Sequence, residues 1–144
     1  MTRETSIAWA KTACALTFVV GLVAAGGSTA AASEPWRLLF DILKWPLDGD
    51  PAGFQGDTPA LNAVLGGVMV GWATLMYFVL AGPIARGDVE LVRPLMISVG
   101  VWFVVDCTGS LLAGLPGNVV LNVGFLALFL PPLLALSRQH GVGR

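Results

Sequence analysis

One acidic residue, Asp106, lies in a stretch that is otherwise almost entirely apolar, Val-Trp-Phe-Val-Val-Asp-Cys-Thr-Gly-Ser from 101 to 110. A carboxylate placed in hydrocarbon costs roughly 2.5–3.5 kcal/mol on insertion scales unless it is paired, protonated or wetted. Such a residue can serve as a proton or ligand site. It can also be a structural acid, hydrogen-bonded between helices or reaching the interface. Its helical neighbours are informative, because residues four apart share a face. Ser98, Trp102, Asp106 and Ser110 form one such stripe. Asn118 and Asn122 stand one turn apart further on, and Asn62 brings a third amide from another segment. The expectation is a small polar cluster centred on Asp106, with Ser110, Asn118, Asn122, Asn62 and Trp102 around it. Arg37 or Lys44 would supply the counter-charge.

Other chemistry is poorly represented. The two cysteines, Cys14 and Cys107, fall in separate apolar segments without CxxC spacing, so no soft-ligand metal or redox site is expected. The single histidine, His140, sits in a short polar tail. No nucleophile elbow, HExxH, phosphate loop or GxGxxG occurs, and Gly66-Gly67 is not followed by a phosphate-loop pattern. No catalytic residue, metal or cofactor is therefore assigned. With a net charge of −1, nucleic-acid binding has no electrostatic basis.

The polar residues must be positioned by apolar elements. Hydrophobic residues make up 56% of the 144-residue chain and charged residues only 12%, too few to cover a soluble surface. A bilayer removes that requirement. A spanning helix needs roughly 20 apolar residues, and four stretches qualify: about 7–32, 59–81, 92–113 and 118–137. Thr58-Pro59 supplies a start signal and Gly82-Pro83 a stop. Leu115-Pro116-Gly117 reads as a tight turn joining antiparallel neighbours, and Pro131-Pro132 predicts a kink. The segment 36–45, Trp-Arg-Leu-Leu-Phe-Asp-Ile-Leu-Lys-Trp, is too short to span. Trp36, Leu39, Phe40 and Leu43 share a face, so it reads as an amphipathic surface helix. The expected fold is an all-α integral membrane four-helix bundle, one domain over residues 1–144. The surface helix would lie in its first outer loop.

Positive residues favour the cytoplasmic side of short loops. Arg3, Lys11, Arg86, Arg93, Arg138 and Arg144 fall on one side of a four-helix topology; only Arg37 and Lys44 fall on the other. Both termini are thus expected inside, and the acidic first loop outside. About 13 residues separate Arg93 from Asp106, roughly 20 Å of helix, which puts Asp106 in the outer third. A second reading takes residues 1–32 as a cleaved signal peptide ending at Ala30-Ala31-Ala32. Small residues four apart, Ala63, Gly67 and Gly71, form a groove on helix two, and Gly21 and Ala25 form one on helix one. Internal packing is the first expectation for them and homodimerisation the alternative.

With four short helices and an amphipathic stretch in a long first loop, the chain resembles the small bacterial inner-membrane proteins of the DoxX-like kind. The resemblance is architectural and carries over no functional residue. It implies a multi-pass inner-membrane protein, and some members of that group are similar to subunits of membrane oxidoreductases. Small multidrug transporters are of similar size but depend on an acid in helix one, whereas the acid here is Asp106 in helix three. Three functions follow: an accessory or assembly subunit of a larger membrane complex, an ion-coupled permease using Asp106, or a quinone- or lipid-binding subunit. The partners expected are the bilayer and other membrane subunits or further copies of the chain.

Overall fold

The first helix begins where Thr2 turns its hydroxyl back on the chain. That oxygen accepts the Thr5 N–H at 3.2 Å, satisfying one of the orphan donors of a helix start. From there α1 runs over Arg3–Gly26. A short helix α2 follows at Glu34–Leu43, and α3 at Thr58–Val79. A single 3-10 turn, Val89–Leu91, leads into α4 at Val92–Leu112, and α5 spans Pro116–Arg138. The computed structural model describes residues 1–45, 48–51 and 53–139; His140, Arg144 and Pro46 lie outside them. Among the described residues every regular element is helical, and four helices are long and apolar enough to cross a membrane.

Two boundaries differ clearly from expectation. The first helix ends at Gly26, six residues before 32, and the chain turns through residues 27–32. Gly27 explains the tight turn: a Cβ there would meet the Trp36 ring at 2.5 Å and the Asn62 amide at 2.8 Å. Gly82-Pro83 does not stop the second long helix. The helix widens into a π turn over Leu80–Ile84, which accommodates the ring and missing donor of Pro83. Arg3 donates to the Ile84 carbonyl there, tying the start of α1 to the end of α3. As expected, Pro131 and Pro132 lie inside the last long helix, α5, which continues to Arg138.

The long helices are arranged around α1 and α5. α1 packs along α3 and against α5, and α5 packs along α4. α3 and α4 have almost no backbone contact, leaving the ring of helices open on that side. The α1–α3 approach is set by Gly66, where a Cβ would come within 2.4 Å of the Ala25 nitrogen and 2.5 Å of the Gly21 carbonyl. Gly21 and Ala25 thus face Gly66. The groove expected at Ala63, Gly67 and Gly71 is not used for internal packing. All three are exposed, and nothing lies within 4 Å of a Cβ at either glycine. The reason is angular: adjacent helical residues point 100° apart, so Gly66 and Gly67 cannot both meet α1.

The two ends of the molecule differ. One end carries both termini and the α3–α4 connection; Gln139 donates to the Met1 carbonyl at 3.2 Å. Ala10, Cys14, Met76, Leu80, Ile84, Val92, Val99, Phe129, Leu133 and Leu136 form its core, each at most 1% exposed. The other end carries α2 and the α4–α5 turn.

Candidate functional site

The turn between α4 and α5 places the polar residues. Gly114 adopts φ +72°, a conformation that costs a side-chain-bearing residue about 1 kcal/mol. The Leu115 N–H reaches back to the Ser110 carbonyl at 2.8 Å and the Gly114 N–H to Leu111 at 3.2 Å. This is the Schellman closure of a helix. It returns the chain antiparallel, and α5 starts with Asn118 over Ser110 and Asp106.

There the side chains interlock. Asn118 Nδ2 donates to Asp106 Oδ1 at 2.9 Å and to Ser110 Oγ at 2.7 Å. Ser110 Oγ in turn donates to Asp106 Oδ1 at 3.1 Å. Both amide hydrogens of Asn118 and the hydroxyl of Ser110 are thus used within the trio. Asp106 Oδ2 and Asn118 Oδ1 keep open acceptor positions among the described residues.

Of the other residues of the expected cluster, Asn122 and Trp102 line one cavity with the trio but make their contacts outside it, and Asn62 stands apart. Asn62 is buried but makes a separate node: it accepts from Trp36 Nε1 at 3.1 Å and donates to the Gly27 carbonyl at 3.3 Å. It holds the starts of α2 and α3 to the end of α1. Asn122, also buried, donates to Cys107 Sγ at 3.6 Å across the α4–α5 seam. Trp102 lies tilted by 35° against Trp72, ring centroids 5.8 Å apart, and meets Phe125 edge-on at 6.4 Å.

The expected counter-charge is corrected. Arg37 pairs with Glu34 at 2.9 Å and donates to the Pro51 carbonyl at 2.8 Å. Lys44 is exposed and forms no ion pair among the described residues. Among the described residues Asp106 has no cationic partner. Arg37 lies on the α2 face turned towards the loop, which is why it meets Glu34 and Pro51 rather than α4.

A cavity of about 590 Å³ lies beside this trio, within the range of small-molecule sites, ~300–1,000 Å³. α1 supplies Thr17 and Val20 as its back, and α5 supplies Leu121, Asn122 and Phe125. Trp72 and Trp102 form its floor, bridging the gap between α3 and α4. Trp72 Nε1 also donates to Ser98 Oγ on α4 at 3.4 Å. Trp36, Phe40 and Leu43 of α2 form its roof. α2 is fixed there because Gly117 lets it approach closely: a Cβ on Gly117 would lie 2.7 Å from the Ile42 and Leu43 carbonyls. Phe40 is backed by Phe54 of the loop, ring centroids 5.8 Å apart. The open side falls between α3 and α4, where the lining residues Leu65, Val68 and Val105 are 45%, 65% and 66% exposed.

The cavity wall was only partly foreseeable. The roof residues Trp36 and Phe40 were visible as the apolar face of an amphipathic segment, but nothing in the sequence said what that face covers. Thr17 and Trp72 carried no signal of their own. No metal-binding group of three His, Cys, Asp or Glu occurs among the described residues. Comparison with known families, curated proteins and solved structures returns no match.

Proposed function

We propose that this chain is a multi-pass bacterial inner-membrane protein, both termini cytoplasmic, that binds a membrane-dissolved amphiphile in the cleft between α3 and α4. The carrying observation is the cavity itself. It has one polar corner at Asp106, Ser110 and Asn118, mostly apolar and aromatic walls, and an opening on the side where two spanning helices would face lipid. A water-soluble ligand would gain little from such an opening, whereas an amphiphile enters sideways with its chain still in lipid and only its head group inside. The reading suits an accessory, non-enzymatic role, in which the chain holds a lipid or a lipid-like molecule for a larger assembly.

A through-carrier is less well supported. Beyond the Trp72–Trp102 floor lies the fully buried apolar core of the terminal end. An ion or polar solute leaving Asp106 in that direction would meet no polar path.

Native mass spectrometry of the protein released from mild detergent tests the proposal. One amphiphile is expected to stay bound to each chain, and Val105→Trp, which fills the mouth from an exposed position, should release it. Wild-type protein that appears only as bare chain, or a Val105→Trp variant that retains the ligand equally, contradicts the cleft as a binding site.

A further inference from the structure

We infer that the head group taken by this cleft is a hydrogen-bond-donating ammonium, so the ligand is an amphiphile carrying a primary or secondary amine. The inference rests on the proposed cleft binding and specifies its ligand. Three observations carry it.

The first is hydrogen-bond balance. Every donor of the polar trio is spent inside it, on Asp106 Oδ1 and Ser110 Oγ. What the trio leaves open at the cavity's edge accepts: Asp106 Oδ2 and Asn118 Oδ1 have no hydrogen-bond partner among the described residues. A ligand must bring N–H or O–H groups to them, and an acceptor-only head such as an oxidised quinone has nothing to offer this corner. Outside the trio, Trp102 and Asn122 each keep an N–H without a partner among the described residues. Neither is charged, and neither competes for Asp106.

The second is charge. Among the described residues Asp106 has no cation beside it: Arg37 is bound to Glu34, and Lys44 forms no ion pair with any of them. An unpaired carboxylate in a low-dielectric cleft leaves a charge uncompensated. An ammonium supplies the missing charge and the missing donors together, in the stronger charge-assisted form of the hydrogen bond.

The third is the wall. Trp36, Phe40, Trp72, Trp102 and Phe125 line the cavity, and aromatic faces attract cations most strongly where water is excluded. No basic residue lines it among the described residues, so an anionic head would meet Asp106 without compensation.

The test uses ω-bromododecyl amphiphiles, whose bromine quenches tryptophan, against the full chain in phosphatidylcholine nanodiscs. Four heads are compared: ammonium, trimethylammonium, hydroxyl and carboxylate. The saturable part of the quenching is isolated by competition with the unbrominated parent. Primary ammonium should bind about tenfold or more tighter than the alcohol. It should also bind tighter than trimethylammonium, which has the charge but no N–H, and the carboxylate should be weakest. Asp106→Asn should reduce the ammonium to the level of the alcohol. If that variant fails to fold, the four-head ranking of the wild type decides alone.

Equal saturable binding of alcohol and ammonium overturns this inference and leaves the cleft reading standing. Absence of saturable binding for all four heads overturns both. Adding phosphatidylethanolamine to the discs identifies the source of the amine: competition marks a lipid head group, and undiminished binding marks a dissolved lipophilic amine.

Discussion

The two halves of this molecule are built from the same four long helices and end up as opposites. At the terminal end the helices interlock around Met76, Ile84, Val99, Phe129 and Leu133, all buried to 1% exposure or less. At the α2 end they part, and a polar trio faces about 590 Å³ of open volume. Small residues account for both outcomes. Gly66 brings α3 against α1, and Gly117 brings α2 against α5. Among the described residues no comparable close approach joins α3 to α4, and Trp72 spans the gap through its ring contact with Trp102 and its hydrogen bond to Ser98. Lipid is as apolar as the side chains, so helix association in a bilayer depends on packing and hydrogen bonds rather than on burial from water. A cleft can therefore persist wherever two helices lack a small-residue seam.

The largest expected effect tests the α1–α3 seam. Gly66→Leu must displace Ala25 and Gly21 backbone and should cost about 3 kcal/mol or more, seen as loss of folded protein in detergent melts. Gly67→Leu, one residue on and facing outward, should be close to neutral; equal damage from both would refute the assigned face. Next comes the contrast between halves. Phe129→Ala leaves a void in a closed core and should lower stability on the order of 3 kcal/mol. Phe125→Ala, one turn nearer the cavity, should cost clearly less because that site already borders open space. Matching losses for the two would mean that the halves are equally packed.

Smaller effects probe the polar corner. Asn118→Leu removes both amide donors from Asp106 and Ser110 and should destabilise by about 1–2 kcal/mol in guanidinium or thermal unfolding. It should also weaken retention of any bound amphiphile. The smallest effect concerns the expected counter-charge. Lys44→Ala should stay within about 0.5 kcal/mol of wild type in stability and leave ligand retention unchanged. A loss comparable to that of Asn118→Leu would restore Lys44 as a partner of Asp106.

Much of this architecture was legible in the chain. Four apolar stretches give four long helices, because length and apolarity are local properties. Asp106, Ser110 and Asn118 were also readable together. Two share a helical face, and the Leu115-Pro116-Gly117 turn folds the third back over them. What escaped depends on rotation of one helix about its axis. Ala63, Gly67 and Gly71 have the small-residue spacing, whereas Gly66 stands between Asn62 and Val70 and has no such repeat, and only contact with α1 selects between faces 100° apart. Asn62 was placed at the right depth but turns towards Trp36 and Gly27 instead of Asp106. Depth follows from counting residues, while azimuth does not. The same limit hid the role of α2, whose apolar face was plain but whose place as the cavity roof needs Gly117 on another helix.

Photolabelling locates a bound amphiphile directly. A dodecyl chain carrying a mid-chain diazirine, bound to the protein in nanodiscs and activated with and without excess unlabelled competitor, marks the residues it touches. Competitor-sensitive adducts are expected on Leu65, Val68, Val105 and Phe125, the mouth and wall of the α3–α4 cleft. Competitor-sensitive adducts at Val99, Phe129 or Leu133 instead, or none that the competitor removes, would contradict an open α2 end above a sealed terminal end.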